Sequence, residues 1–137
     1  MLFFTGISRF ASDVAKSQIE NTPDKQKELS LMGQMVDRAV EILNSNIDIS
    51  EFGKLLNETW QLKKSLSNKI SNPEVDDIYV KALQAGALGG KLTGAGGGEF
   101  LLLYVPREAQ DRVRNALKGL LEVPFTFETS GSQTNKG

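Results

Sequence analysis

The apolar positions of this chain repeat at one spacing over its first two thirds and at another over the rest. The chain opens on Leu2-Phe3-Phe4, a run that stops at Thr5-Gly6 and predicts a short strand. A helix is expected to follow, with Ser8 at its N-cap and an inner stripe of Phe10, Val14, Ala15, Gln18 and Ile19. Thr22-Pro23 then places a cap before a proline at the first helical position. The stripe Leu29, Met32, Val36, Ala39, Val40 and Leu43 has helical spacing, and Asn44-Ser45-Asn46 ends it. Asp48-Ile49-Ser50-Glu51 has the form of a capping box. The next helix carries Phe52, Leu55, Leu56, Thr59, Leu62 and Leu66 on one side. Asn72-Pro73 starts a further helix, with Val75, Ile78, Ala82 and Ala85 inward and Gly86 as its stop.

Beyond Gly86 the helical period disappears. A short strand of small residues leads to a glycine-rich loop, and Phe100 to Val105 is an unbroken apolar strand, expected to be central and covered on both faces. Pro106 opens a helix with Ala109, Val113, Ala116, Leu117 and Leu120 inward. Val123, Phe125 and Phe127 alternate as a last strand, with Pro124 placing it near a sheet edge. Residues 129–137 are polar and lack an apolar anchor, so a disordered tail is expected after a single domain of residues 1–128. The pattern is α+β: about four strands in an antiparallel sheet and about five helices, the middle three forming a helical insert. The C-terminal order of strand, glycine loop, strand, helix and strand suits a ferredoxin-like arrangement.

Composition removes several function classes. The net charge of −1 gives no electrostatic footprint for nucleic acid or an anionic membrane, so neither is expected as a partner. With no cysteine and no histidine, thiolate chemistry, the usual zinc ligands and the commonest general base are absent. No apolar stretch is long enough to span a bilayer and Met1 to Phe4 does not form a signal peptide, which makes the cytoplasm the default compartment. Asp76 and Asp77 invite a metal reading, but they sit in the first turn of a helix, where carboxylates complement the dipole, and no metal site is assigned.

The candidate chemistry lies in Lys91-Leu92-Thr93-Gly94-Ala95-Gly96-Gly97-Gly98-Glu99, with four glycines in five residues. Successive backbone N–H groups in such a loop form a concavity that suits an anion, most often phosphate. A ligand-free hairpin turn is the alternative. Two common phosphate motifs fail on counting. A G-x-G-x-x-G fingerprint begun at Gly94 ends on Glu99, and Gly86 to Leu92 is one residue short of a P-loop and has Leu after the Lys.

The same string resembles the third signature motif of the GHMP kinases (galactokinase, homoserine, mevalonate and phosphomevalonate kinases). That motif reads approximately Lys, an aliphatic residue, Ser or Thr, then Gly-Ala-Gly-x-Gly-Gly. Phe4 to Arg9, Leu55 to Lys63 and Ala85 to Lys91 further resemble the heptose 7-phosphate kinase branch of that family, which phosphorylates a sugar at its anomeric hydroxyl. The likeness covers residues 2 to about 132 and implies the C-terminal domain of a two-domain, ATP-dependent sugar kinase. ATP and Mg would be bound mainly by the N-terminal domain, which carries the main ATP loop and the Asp that acts in transfer. Neither feature occurs in this chain, so it is expected to be inactive alone, and no catalytic residue is assigned to it.

The resemblance implies that Thr93, Gly94, Ala95, Gly96, Gly97 and Gly98 border the ATP phosphates. Glu99 departs from the motif's glycine and is expected to point away along its strand. Ser8, Arg9, Lys63 and Lys91 are candidate contacts for a sugar or sugar phosphate, Arg9 through its planar fork. Trp60 is expected to pack in the core or a domain interface. Self-association through an exposed domain interface is an expected possibility. A stand-alone ligand-binding or regulatory module of ferredoxin-like type is the competing reading, and a subunit that completes another chain's kinase domain is a third.

Overall fold

The structure is a computed structural model that describes residues 1–7, 16, 19–20, 22–66, 73–93 and 99–134. The helix expected from Ser8 falls largely outside the described residues, as do Gly94 to Gly98. Four strands are described: β1 (Leu2–Phe4), β2 (Gly89–Thr93), β3 (Phe100–Tyr104) and β4 (Leu121–Glu122). Four α-helices accompany them: α1 (Gln26–Asn44), α2 (Ser50–Leu66), α3 (Pro73–Gln84) and α4 (Gln110–Ala116).

The sheet order is β2-β3-β1-β4 and every neighbouring pair is antiparallel. That order, with a helical crossover from β1 to β2 and another from β3 to β4, is the β-α-β-β-α-β ferredoxin-like arrangement. The three helices α1 to α3 all lie in the first crossover, so the inserted helical layer sits beside edge strand β2.

Register decides which residues are inside. Phe3 faces Leu101, Leu92 faces Leu101 on the other side, and Gly90 faces Leu103, so these share one face of the sheet. That face is the core. Phe3, Leu101 and Leu103 are buried there with Val75, Tyr79 and Ala82 of α3 and Val113 of α4. Each large apolar side chain removed from water in this way contributes about 1.5–3 kcal/mol. The opposite face carries Leu2, Phe4, Phe100, Leu102 and Tyr104, which are only half-buried. Central strand β3 is therefore fully covered on one face alone, and the expectation of cover on both is corrected: no helix lies over Leu2 and Phe4 among the described residues.

Helix boundaries follow local chemistry. Asp48 Oδ1 accepts the Ser50 N–H at 2.9 Å and caps α2, which holds the Asp48 carboxyl below the usual carboxylate range. The reciprocal half of the expected capping box is absent because Glu51 bonds Lys54 instead. Gly86 ends the α3 segment at φ +113°, a conformation glycine alone adopts without strain, and a Cβ there would lie 2.7 Å from Ala109 Cβ.

Packing of α2 against β2 depends on two other glycines. A Cβ on Gly89 would stand 2.1 Å from the Gly53 carbonyl oxygen, and one on Gly53 would meet the Tyr104 ring at 2.6 Å. The missing side chains let the helix backbone rest on the strand. Tyr79 pins the same junction: its hydroxyl donates to Asn57 Oδ1 at 2.8 Å and receives the Gly90 backbone N–H. Burial pushes this hydroxyl's pKa up to about 12, against the smaller opposing effect of the Gly90 bond.

Two further expectations are corrected. The α1 stripe divides: Met32 and Ala39 are half-buried, whereas Leu29, Val36, Val40 and Leu43 are exposed, because among the described residues α1 packs mainly on α2. The last strand is Leu121–Glu122, not Val123 to Phe127. Val123 N–H still donates to Leu2 at 2.8 Å, but Pro124 has no N–H to extend the ladder and Phe127 is 90% exposed.

Candidate phosphate-handling site

Thr93 pairs with Phe100 at the last rung of the β2–β3 ladder, so the glycine segment spans the tip of a hairpin between them. The far end of that tip is tied down. Glu99 N–H donates to the Ile7 carbonyl at 2.9 Å, and its own carbonyl accepts the Thr5 N–H at 3.0 Å and the Thr5 hydroxyl at 2.8 Å. Thr5 Oγ1 also accepts the Ile7 N–H at 3.2 Å. The segment that runs on into Ser8 and Arg9 is thus stitched to the exit of the glycine loop. Glu99 is half-buried at the start of β3. Ser8, Arg9, Gly94, Ala95, Gly96, Gly97 and Gly98 themselves lie outside the described residues.

The other predicted contacts are brought together. Lys91 and Thr93 alternate onto the same face of β2, two residues apart. Lys91 and Lys63 line one open cavity of about 260 Å³, whose remaining wall is Met32 of α1 with Leu56, Thr59 and Trp60 of α2. On α2 the lining positions 56, 59, 60 and 63 are i, i+3, i+4 and i+7, a single helix face. Trp60 is the deepest of them at 2% exposure, and its ring lies 6.1 Å from that of Tyr79. Its core packing is as expected. Its indole Nε1 is buried with no acceptor among the described residues. Lys91 is exposed, Lys63 half-buried and Trp60 buried. In the sequence Leu56 and Thr59 have only the spacing of a plain helix stripe. Their place in a cavity wall was not legible until β2 supplied Lys91 opposite them.

The aspartates after Pro73 have structural partners. Lys64 Nζ bonds Asp76 at 2.8 Å, joining α2 to α3, and Lys81 bonds Asp77 at 2.7 Å within α3. Among the described residues no three Asp or Glu side chains converge as a metal would require.

The strand order and the helices that cross over between the strands define the class: a ferredoxin-like α+β domain whose β2–β3 connection carries the glycine-rich segment. Residues 28–122 match the family profile described as GHMP kinases C terminal, and the chain belongs to the GHMP kinase family as its C-terminal domain. It is 30% identical over 120 residues to a D-glycero-alpha-D-manno-heptose 7-phosphate kinase of Campylobacter jejuni, covering 86% of this chain and 35% of that protein. It is 32% identical over 131 residues to a mevalonate kinase of Pyrococcus horikoshii, covering 92% of this chain and 38% of that one. Among solved structures, the mevalonate kinase of Methanococcus jannaschii superposes with a TM-score of 0.64 at 27% identity, over 86% of this chain and 35% of its own. The structure described as L. major mevalonate kinase in complex with R-mevalonate reaches a TM-score of 0.69 at 24% identity and supports the fold alone. The chain spans little more than a third of the length of these relatives. No helix among the described residues is long and apolar enough to cross a membrane.

Proposed function

We propose that this chain is one wall of an ATP-dependent phosphotransferase acting on a hydroxyl of a small molecule that already carries an anionic group. Heptose 7-phosphate is the first candidate acceptor, from the sequence resemblance and from the Campylobacter relative. The observation that carries this reading is the tethering of the glycine hairpin: Glu99 and Thr5–Ile7 fix its exit, as a loop that must approach phosphates closely requires. Thr93 and Gly94 to Gly98 would border the ATP phosphates. Lys91 and Lys63, with Ser8 and Arg9, would hold the acceptor's phosphate, the two lysines as point charges and Arg9 as a bidentate fork.

Fit of the cofactors follows from the donor set. Backbone N–H groups and lysines suit a triphosphate. Mg would be held by the rest of the enzyme, since Asp76 and Asp77 are engaged with Lys64 and Lys81. When bound, ATP supplies the phosphoryl group and Mg neutralises the charge that develops on it. Transfer depends on positioning and charge stabilisation, so this chain alone is proposed to be inactive.

The test is a chimera in which residues 2–128 replace the corresponding segment of the Campylobacter kinase. ATP-dependent phosphorylation of heptose 7-phosphate is expected, with loss of turnover in Gly96→Asp and a raised KM for the acceptor in Lys91→Gln. A folded chimera without phosphotransfer to heptose 7-phosphate, to another phosphorylated sugar or to mevalonate would refute the reading.

A further inference from the structure

We propose that α1 is a dimerisation surface, pairing antiparallel with α1 of a second copy of this chain along Leu29, Gly33, Val36, Val40 and Leu43. It stands whether or not the chain handles a phosphate.

Two seams run along this helix. Glu28, Met32, Met35, Ala39 and Ile42 follow one another at intervals of four, three, four and three residues, and every other position of α1 is exposed. This first seam faces α2: the Thr59 hydroxyl reaches Met35 Sδ at 3.3 Å, and Met32, Met35 and Ala39 share a wall with Phe52, Leu55 and Leu56. Leu29, Gly33, Val36, Val40 and Leu43 repeat the same intervals one residue further on. One residue is a turn of about 100°, so the second seam lies on the adjacent flank. It is open: Val36 is 62%, Val40 53% and Leu43 59% exposed. Alternating steps of three and four let the side chains of one helix enter the gaps of another. A helix with such a seam on two flanks suits a place between two helices, and α2 supplies only one.

A second copy fits the open seam in shape and in area. In the antiparallel register that sets Val36 of each copy against Val40 of the other, Leu43 falls opposite Gly33. Nothing lies within 4 Å of where a Gly33 Cβ would stand, so the glycine leaves a notch for the leucine. A two-fold axis makes each contact twice, and opposed helix dipoles favour the antiparallel sense. Leu29, Val36, Val40 and Leu43, with Ile47 just past the helix, expose about 400 Å² of apolar surface per copy, a patch size that marks interaction sites. Two copies would cover about 800 Å² of it. Apolar atoms make up about 60% of an interface, so the whole contact comes to about 1,300 Å², within the range of specific complexes. A net charge of −1 sets little repulsion between copies.

Sedimentation equilibrium of the 137-residue chain should show a dimer that dissociates on dilution through the micromolar range, as the smaller specific interfaces do. Val40→Glu puts a carboxylate into both halves of the seam and should loosen the dimer at least about hundredfold. Lys27→Gln, on the opposite side of the helix, should leave it unchanged. Orientation is read by disulfides, since the chain has no cysteine of its own. A mixture of Val36→Cys and Val40→Cys should cross-link faster than either variant alone. Both positions are exposed in the monomer, and unfolding in urea at high dilution checks that each variant keeps its fold. A chain that stays monomeric to about 1 mM, a dimer indifferent to Val40→Glu, or fastest cross-linking of Val36→Cys with itself overturns the proposal. The chimera with the Campylobacter kinase should also dimerise through this seam. A monomeric chimera would assign the seam to the other lobe of the enzyme and overturn it likewise.

Discussion

Gly89→Ala is the sharpest perturbation the fold offers. The added methyl carbon would stand 2.1 Å from the Gly53 carbonyl oxygen and 2.6 Å from the Asn57 amide nitrogen, both backbone atoms of α2. A carbon normally approaches a carbonyl oxygen to about 3.3 Å, so α2 must withdraw by about 1 Å. Withdrawal by that amount would stretch the 2.8 Å bond from Tyr79 to Asn57 past hydrogen-bonding range. Losing that bond costs about 1 kcal/mol, and the forced repacking adds about 1–3 kcal/mol. A total near 3 kcal/mol corresponds to a fall in Tm of about 10 °C for a chain of this size. Urea unfolding followed by Trp60 fluorescence reads it, because Trp60 lies on the displaced helix. Gly33→Ala is the control: nothing lies within 4 Å of its Cβ on α1, and alanine should stabilise the helix by about 0.5–1 kcal/mol. If Gly89→Ala unfolds within about 0.5 kcal/mol of the parent, the account of how α2 seats on β2 is wrong.

Other outcomes follow from the same contacts. Tyr79→Phe removes the bond to Asn57 and should cost about 1–2 kcal/mol in urea unfolding at neutral pH. The Tyr79 pKa is raised in the folded state to about 12, so its contribution is complete below pH 10 and is lost as pH rises toward 12; the parent should lose more stability over that window than Tyr79→Phe. The Asp48 pKa is lowered by its bond from Ser50, so its cap is present above the ordinary carboxylate range and lost as pH falls through the depressed value. Asp48→Ala should accordingly lower Tm at pH 7, with the gap to the parent closing in strong acid. Gly53→Ala should behave like Gly89→Ala with a smaller effect, since the Tyr104 ring it meets is a side chain that can turn aside.

Much of this fold could be read from punctuation. Pro73, Gly86 and the Asp48 turn mark ends that the structure keeps, because each acts through its own backbone. The ferredoxin-like arrangement was legible too, from the C-terminal order of strand, glycine loop, strand, helix and strand. What escaped depends on neighbours. Val36, Val40 and Leu43 have a core-like spacing, yet whether a stripe is covered depends on how many helices lie against it. Gly89 and Gly90 read as a weak strand, although their value lies in the close approach of α2. Tyr79 fell between the positions chosen for the inner face of its helix, and only its partners Asn57 and Gly90 show that its hydroxyl belongs inside. The Trp60 cavity was half legible: Lys63 and Lys91 stood out by charge, but they are 28 positions apart, and only the fold brings Met32 and Leu56 to the same wall.

The ends of the strand order have a consequence for solubility. Sheets invite foreign strands at their margins, where amide and carbonyl groups lack a ladder partner. Here one margin, β2, has α2 seated on its Gly89 backbone and gives its Gly90 amide to a tyrosine hydroxyl. The other margin is two residues long and runs directly into Pro124. Among the described residues, then, one margin is occupied at its first two positions and the other is cut short, and both features work against aggregation of this domain by strand addition.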